Sequence, residues 1–166
     1  AGHLWVLGGG TDIDDPVFDV ITSADVWSSP DGGTWDPVSY GHFGARYGHA
    51  AVSFNGRLFV IGGSDGYFML NDVRSSTNGI TWERVTDNAA FAPRFGHKVV
   101  VFNGRMWLYG GNNGTTRFDD VWSSDDGITW QRESTFVPYV NRLGISMLVH
   151  DGRVWLIGGR YYEPVF

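Results

Sequence analysis

Short apolar runs separated by glycine-rich polar turns make up the whole chain. Residues 97–102 (HKVVVF) lead through Asn103-Gly104 into 105–109 (RMWLY), and Asn-Gly between apolar runs is the strongest short-range hairpin signal. After a polar loop, 120–124 (DVWSS) turn through Asp125–Gly127 into 129–133 (TWQRE), a second hairpin. Together they predict one antiparallel four-stranded sheet. The run Leu58-Phe59-Val60-Ile61 has no polar alternation, which marks a strand covered on both faces. A small sheet covered on both faces has to stack between copies of itself.

The pattern recurs. Gly pairs stand at 8–9, 62–63, 110–111 and 158–159, spaced by 54, 48 and 48 residues, so the chain is a repeat array. The array divides into 1–45, 46–93, 94–141 and 142–166, with three, four, four and two predicted strands, 13 in all. The first unit lacks the strand that opens the others. Its loop from Gly10 to Ala24 is seven residues longer than those at 64–71 and 112–119.

The R-x-G-H, apolar strand, N-G-R, apolar strand, G-G, D-V-W and T-W succession resembles the kelch repeat over essentially the entire chain. The resemblance implies an all-β fold, a kelch-type β-propeller segment of about three and a half four-stranded blades. It also implies that the strand after R-x-G-H is innermost and the T-W strand outermost. The Ser-x-Asp/Asn-Gly-x-Thr-Trp segments at Ser29, Ser76 and Ser124 resemble the Asp-box hairpins of sialidase propellers, one residue shorter. Trp35, Trp82 and Trp130 are expected to wedge between blades. The family resemblance favours an extracytoplasmic bacterial setting.

Composition narrows the partners. The 166 residues carry a net charge of −6, which argues against binding a nucleic-acid backbone. With no Cys, disulfides, thiolate metal sites and cysteine nucleophiles are excluded. The copper and Cys–Tyr chemistry of galactose oxidase, which shares this propeller type, is excluded with them. No apolar run approaches 18 residues and no signal peptide is present. No cofactor or metal site is expected.

Candidate binding residues follow from comparing the copies. Arg46, Arg94 and Arg142 precede the innermost strands; the resemblance implies a place at the channel mouth, where guanidinium groups suit carboxylates. The competing reading is that each braces its neighbouring blade. Ser64, Asn112 and Arg160, with Gly10, follow the Gly doublets in loops expected to open on the same face. Copies differ there, as a binding surface would. Tyr67 adds an aromatic anchor, beside Phe68, and Tyr161-Tyr162 belong to the same class of loop.

His49 and His97 are replaced by Ile145 in the fourth copy, which points to packing. Asp12, Asp14, Asp15 and Asp19 lack the Gly and terminal Glu of an EF-hand loop and read as a solvated acidic loop. Asn113-Gly114-Thr115 matches a glycosylation sequon and says little. No nucleophile–base pair carries a local signature, so the reading leans away from an enzyme.

The functional expectation is a binding module for a protein or a small anionic ligand on the loop face. The alternatives are a sugar-acid enzyme resembling kelch-type mutarotases or sialidase-like propellers, and a purely structural assembly component. Three and a half blades leave open edges, so the chain is expected either to close by self-association, as a homodimer or higher assembly, or to form part of a larger propeller. Two copies would bring 26 strands, with Leu4–Leu7 and Val154–Ile157 competing for one position.

Overall fold

The computed structural model describes residues 2–12, 20–134 and 142–161, and every regular element among them is a β-strand. The first sheet holds β1 (Leu4–Asp12), β2 (Val20–Ser29) and β3 (Asp36–Ser39). The second runs β4 (Ala50–Phe54), β5 (Arg57–Ser64), β6 (Met69–Ser76) and β7 (Glu83–Thr86). The third runs β8 (Lys98–Phe102), β9 (Arg105–Tyr109), β10 (Val121–Ser124) and β11 (Gln131–Ser134). The last pairs β12 (Arg142–His150) with β13 (Arg153–Tyr161). All pairings are antiparallel between sequence neighbours.

Turn chemistry fixes the registers. Asn55-Gly56, Asn103-Gly104 and Asp151-Gly152 all have positive φ at both residues, the two-residue turn whose twist matches antiparallel strands. At the Gly doublets the ladder slips, between Leu7 and Gly9 and between Ile61 and Gly63. Gly63 has φ +99, and a Cβ there would stand 2.8 Å from the Tyr47 carbonyl oxygen. The doublet is therefore a bulge that brings the backbone at Tyr47 and His49, ahead of the blade's first strand, into contact, which only glycine permits without strain.

The outer turns share one geometry. Ser124 Oγ accepts from Gly127 N at 2.8 Å, and Asp126 Oδ1 accepts from Ile128 N and Thr129 N at 2.7 and 2.8 Å. Ser29 with Asp31 and Ser76 with Asn78 repeat it. Trp35, Trp82 and Trp130 donate Nε1 to the carbonyl of the turn glycine three residues back. They precede the outermost strands rather than lying in them, because the turn claims their indole.

Apolar cores lie between sheets. Phe59, Ile61 and Val73 of the second sheet meet Phe91 and Met106, Leu108 and Trp130 of the third. Val26 and Phe43 meet Val60 and Trp82 between the first and second. Between the third and last sheets an apolar cleft of about 280 Å³ remains, lined by Trp107, Tyr109, Val121, Met147, Val154 and Leu156.

The segment expected as a loop from Gly10 to Ala24 is in part a hairpin. Thr11 pairs with Ile21 and Asp12 with Val20, since the β-branched run Val20-Ile21-Thr22 extends the ladder beyond the bulge. Asp14, Asp15 and Asp19 lie outside the described residues, as does the side chain of Asp12.

Candidate functional site

Arg46 and Arg94 open the second and third repeats, and both are buried. Arg46 Nη1 and Nη2 grip Asp72 Oδ1 and Oδ2 at 2.7 and 3.0 Å. Its remaining N–H groups go to the carbonyls of Gly62, Phe43 and Gly44. Arg94 repeats the fork on Asp120 at 2.6 and 3.0 Å and donates to the Gly110 and Ala92 carbonyls. Its guanidinium also lies over the Phe118 ring, 4.1 Å from the centroid. Burial raises the Asp120 pKa, but the bonds from Arg94 and Trp122 and the Arg94 charge outweigh it, so the carboxyl stays below its ordinary range.

The same arginines tie sheet to sheet through their backbones. Arg94 N donates to Leu70 O, and its carbonyl accepts from Gly63 N; Arg46 does the same with Ser23 and Gly9. His97 Nε2 adds a bond to Ile61 O at 3.1 Å. Burial first, then the Arg94 charge, lower the His97 pKa to about 3, and burial with Arg46 lowers His49 to about 4. Both rings are therefore neutral near pH 7, and the Nδ1 of each lacks a hydrogen-bond partner. The guanidinium groups of Arg46 and Arg94 are turned inward onto their own blades, and only their backbones reach the blade before.

Arg142 stands differently. Its Nη1 keeps the contact to the glycine carbonyl sixteen residues on, Gly158 O at 3.2 Å, yet the residue is exposed. It lines a cavity of about 120 Å³ with Tyr109, Ile145, Leu156 and Gly158. Tyr109 has a raised pKa, from burial and then the Asp119 charge, partly offset by Arg142. A guanidinium and a protonated phenol at one cavity suit a small acid.

The loop residues after the Gly doublets fall at the same end of the sheets as these arginines. Tyr47 bridges Ser64, Phe95 bridges Asn112, and Leu143 pairs with Arg160. Ser64 and Asn112 are buried, and their side-chain oxygens accept from Gly66 N and Gly114 N, so they shape the loops. Arg160 is exposed.

Tyr67 is 75% exposed and Phe68 nearly as much. Their turn is held by Asp65 Oδ1, which accepts from Tyr67 N at 2.9 Å and Phe68 N at 2.7 Å. Asp65 N also donates to Phe68 O. Tyr47 and Phe95 meet edge to face with centroids 5.8 Å apart. The side chain of Tyr161 and the whole of Tyr162 lie outside the described residues.

Among the described residues no group of three or more His, Cys, Asp or Glu could hold a metal ion. Among the described residues no helix is long and apolar enough to cross a membrane. Sequence reasoning missed Asp72 and Asp120 as partners of the arginines. The signal was there in their constant spacing, 26 residues after Arg46 and Arg94. The Tyr47–Phe95 contact had its signal in the R-x-G-H segments, where the two aromatics hold the same place 48 residues apart.

The family model for the KLHDC2/KLHL20/DRC7 Kelch-repeats domain matches residues 1–165. The chain belongs to this kelch-repeat family. Its four antiparallel sheets are those of an incomplete kelch-type propeller, the second and third of them four-stranded. No curated protein matches the chain. The backbone bonds of Arg46 and Arg94 and the histidine bond thus fasten one kelch blade to the one before, while each arginine fork ties together its own blade.

Proposed function

We propose that this kelch domain is an interaction module that takes a protein partner on the face bearing the loops after the Gly doublets. The repeat boundaries proposed are 45/46, 93/94 and 141/142. The observation that carries the reading is the Tyr67-Phe68 turn, two exposed rings on a backbone fixed by Asp65. Exposed aromatics on a rigid base lose little entropy on binding and serve as anchors. Arg142 and Arg160 at the same end supply guanidinium groups for acidic side chains or a small carboxylate. Ser64 and Asn112 contribute by shaping the loops, and Arg46 and Arg94 by fixing the blades beneath them.

A peptide library panned against the purified chain tests this. Selected peptides should lose binding at least tenfold to Tyr67→Ala combined with Phe68→Ala, and acidic ones also to Arg142→Ala with Arg160→Ala. Peptides indifferent to all four changes would overturn the reading. Titration with a uronic acid, with Arg142→Ala as control, covers the small-anion case.

A further inference from the structure

Four Asn-Gly pairs stand in the chain, at 55–56, 78–79, 103–104 and 113–114. Such a pair can close on itself, because no Cβ on the glycine keeps its backbone nitrogen away from the side-chain carbon of the Asn. Whether it does depends on how firmly that nitrogen and that amide are already engaged. The fold divides the four pairs into two held and two open.

Asn78 and Asn113 are held. Asn78 Oδ1 accepts from Ile80 N and Thr81 N, both at 2.9 Å, and Gly79 N donates to Ser76 Oγ at 2.8 Å. Gly79 is itself buried, with the Trp5 ring 2.7 Å from where a Cβ would stand. Asn113 Oδ1 accepts from Thr115 N, Thr115 Oγ1 and Thr116 N, while Gly114 N donates to Asn112 Oδ1 at 3.0 Å. In both pairs the attacking nitrogen and the attacked amide are tied.

Asn55 and Asn103 are open. They and the glycines after them are exposed at the tips of the β4–β5 and β8–β9 hairpins. Among the described residues neither side chain takes part in a hydrogen bond, and neither Gly56 N nor Gly104 N donates one. A Cβ on either glycine would meet nothing within 4 Å. A two-residue tip of this kind can open while the ladder behind it stays closed.

We propose that Asn55 and Asn103 are sites of spontaneous deamidation, and that the hydrogen-bonded turns protect Asn78 and Asn113. Once hydroxide has taken its proton, the Gly56 nitrogen bonds to Asn55 Cγ; the side-chain nitrogen takes a proton from water and leaves as ammonia. Water then opens the succinimide ring. Breaking the new bond to Cγ gives aspartate, and breaking the older bond to the backbone carbonyl gives isoaspartate. In net, one water is consumed and one ammonia released. The turn accepts aspartate: Asp151-Gly152, at the same place in the fourth repeat, has φ 49 and 65 against 48 and 73 at Asn55-Gly56. Isoaspartate instead puts an extra methylene into a two-residue turn whose length sets the register. Either product adds a negative charge at the end of the sheet away from the Gly doublet, where Phe54 pairs with Arg57. The proposal stands independently of the loop-face reading.

Peptide mapping by mass spectrometry, after weeks in the native state at mildly alkaline pH, is the test. Trypsin places each pair on its own peptide, 47–57, 75–84, 99–105 and 106–117. Asn55 and Asn103 should show the exchange of NH2 for OH at least about tenfold faster than Asn78 and Asn113, where several hydrogen bonds must break first. In urea all four should convert at one rate. The variant Asn55→Asp with Asn103→Asp should keep the thermal midpoint of the wild type, and a lowered midpoint would overturn the acceptance of aspartate. No native conversion at Asn55 and Asn103, conversion of all four at one rate, or the same ranking in urea overturns the proposal.

Discussion

Arg94 and Asp120 form a two-pronged ion pair, 2.6 Å between Nη1 and Oδ1 and 3.0 Å between Nη2 and Oδ2, with the arginine side chain wholly buried. The pair joins the segment leading into the first strand of a blade to the residue ahead of that blade's third strand, while the Arg94 backbone holds the blade before. Removing one partner leaves the other charge buried and unmatched. Asp120→Ala should therefore cost about 3–5 kcal/mol in urea unfolding followed by Trp fluorescence. Arg94→Lys should recover little of the loss from Arg94→Ala, since an ammonium cannot fork onto two oxygens and two carbonyls. A cost under about 1 kcal/mol would mean that the pair is not braced as described.

Stability should fall with acid well above the carboxylate range. His49 and His97 have folded pKa values of about 4 and about 3, both below the ordinary 6.5. The folded state binds fewer protons than the unfolded one between those values and 6.5. Stability is then complete above pH 6.5 and declines below it, by about 1.4 kcal/mol per pH unit for each histidine. Asp120, held low by Arg94, adds its loss only as pH falls below the ordinary carboxylate value. Urea midpoints between pH 7 and 4.5 measure the slope. His97→Gln, which keeps an N–H for Ile61 O, should roughly halve it.

Gly63 and Gly41 separate steric collision from backbone strain. Both have positive φ, but a Cβ on Gly41 meets nothing within 4 Å, while one on Gly63 meets the Tyr47 carbonyl at 2.8 Å. Gly41→Ala should cost about 1–2 kcal/mol for the left-handed backbone alone. Gly63→Ala should cost clearly more, and Gly111→Ala, 2.8 Å from the Phe95 carbonyl, should match it. Equal thermal shifts for Gly41→Ala and Gly63→Ala would contradict the close approach.

Trp35 and Trp130 occupy the same place in the repeat with different surroundings. Trp130 is 4% exposed and meets Phe91 edge to face at 5.2 Å, whereas Trp35 is 36% exposed. Trp130→Ala should cost about 3–5 kcal/mol in urea unfolding. Trp35→Ala should cost much less, because the Trp35 ring is already partly in water.

The spacing of Gly doublets, the Asn-Gly turns and the Trp positions made the blades legible before any coordinates. Each is a local event, set by φ values and hydrogen bonds within a few residues. The site was less legible. Arg46, Arg94 and Arg142 read alike along the chain, yet two are enclosed and one is exposed. Asp72 and Asp120 enclose the first two, a contact between segments 26 residues apart that no local pattern announces.

By itself, then, the sequence determined the repeat, the strand order and the turns, because neighbouring residues decide them. Only the tertiary structure decided that Asp72 and Asp120 claim the arginines, and that the Gly10–Ala24 segment extends the β1–β2 hairpin. It also decided that Val6 and Ile157 face water while Val60 and Ile61 do not. Burial is a property of the stack: a side chain's solvent is fixed by the next blade, 48 residues away, rather than by its own.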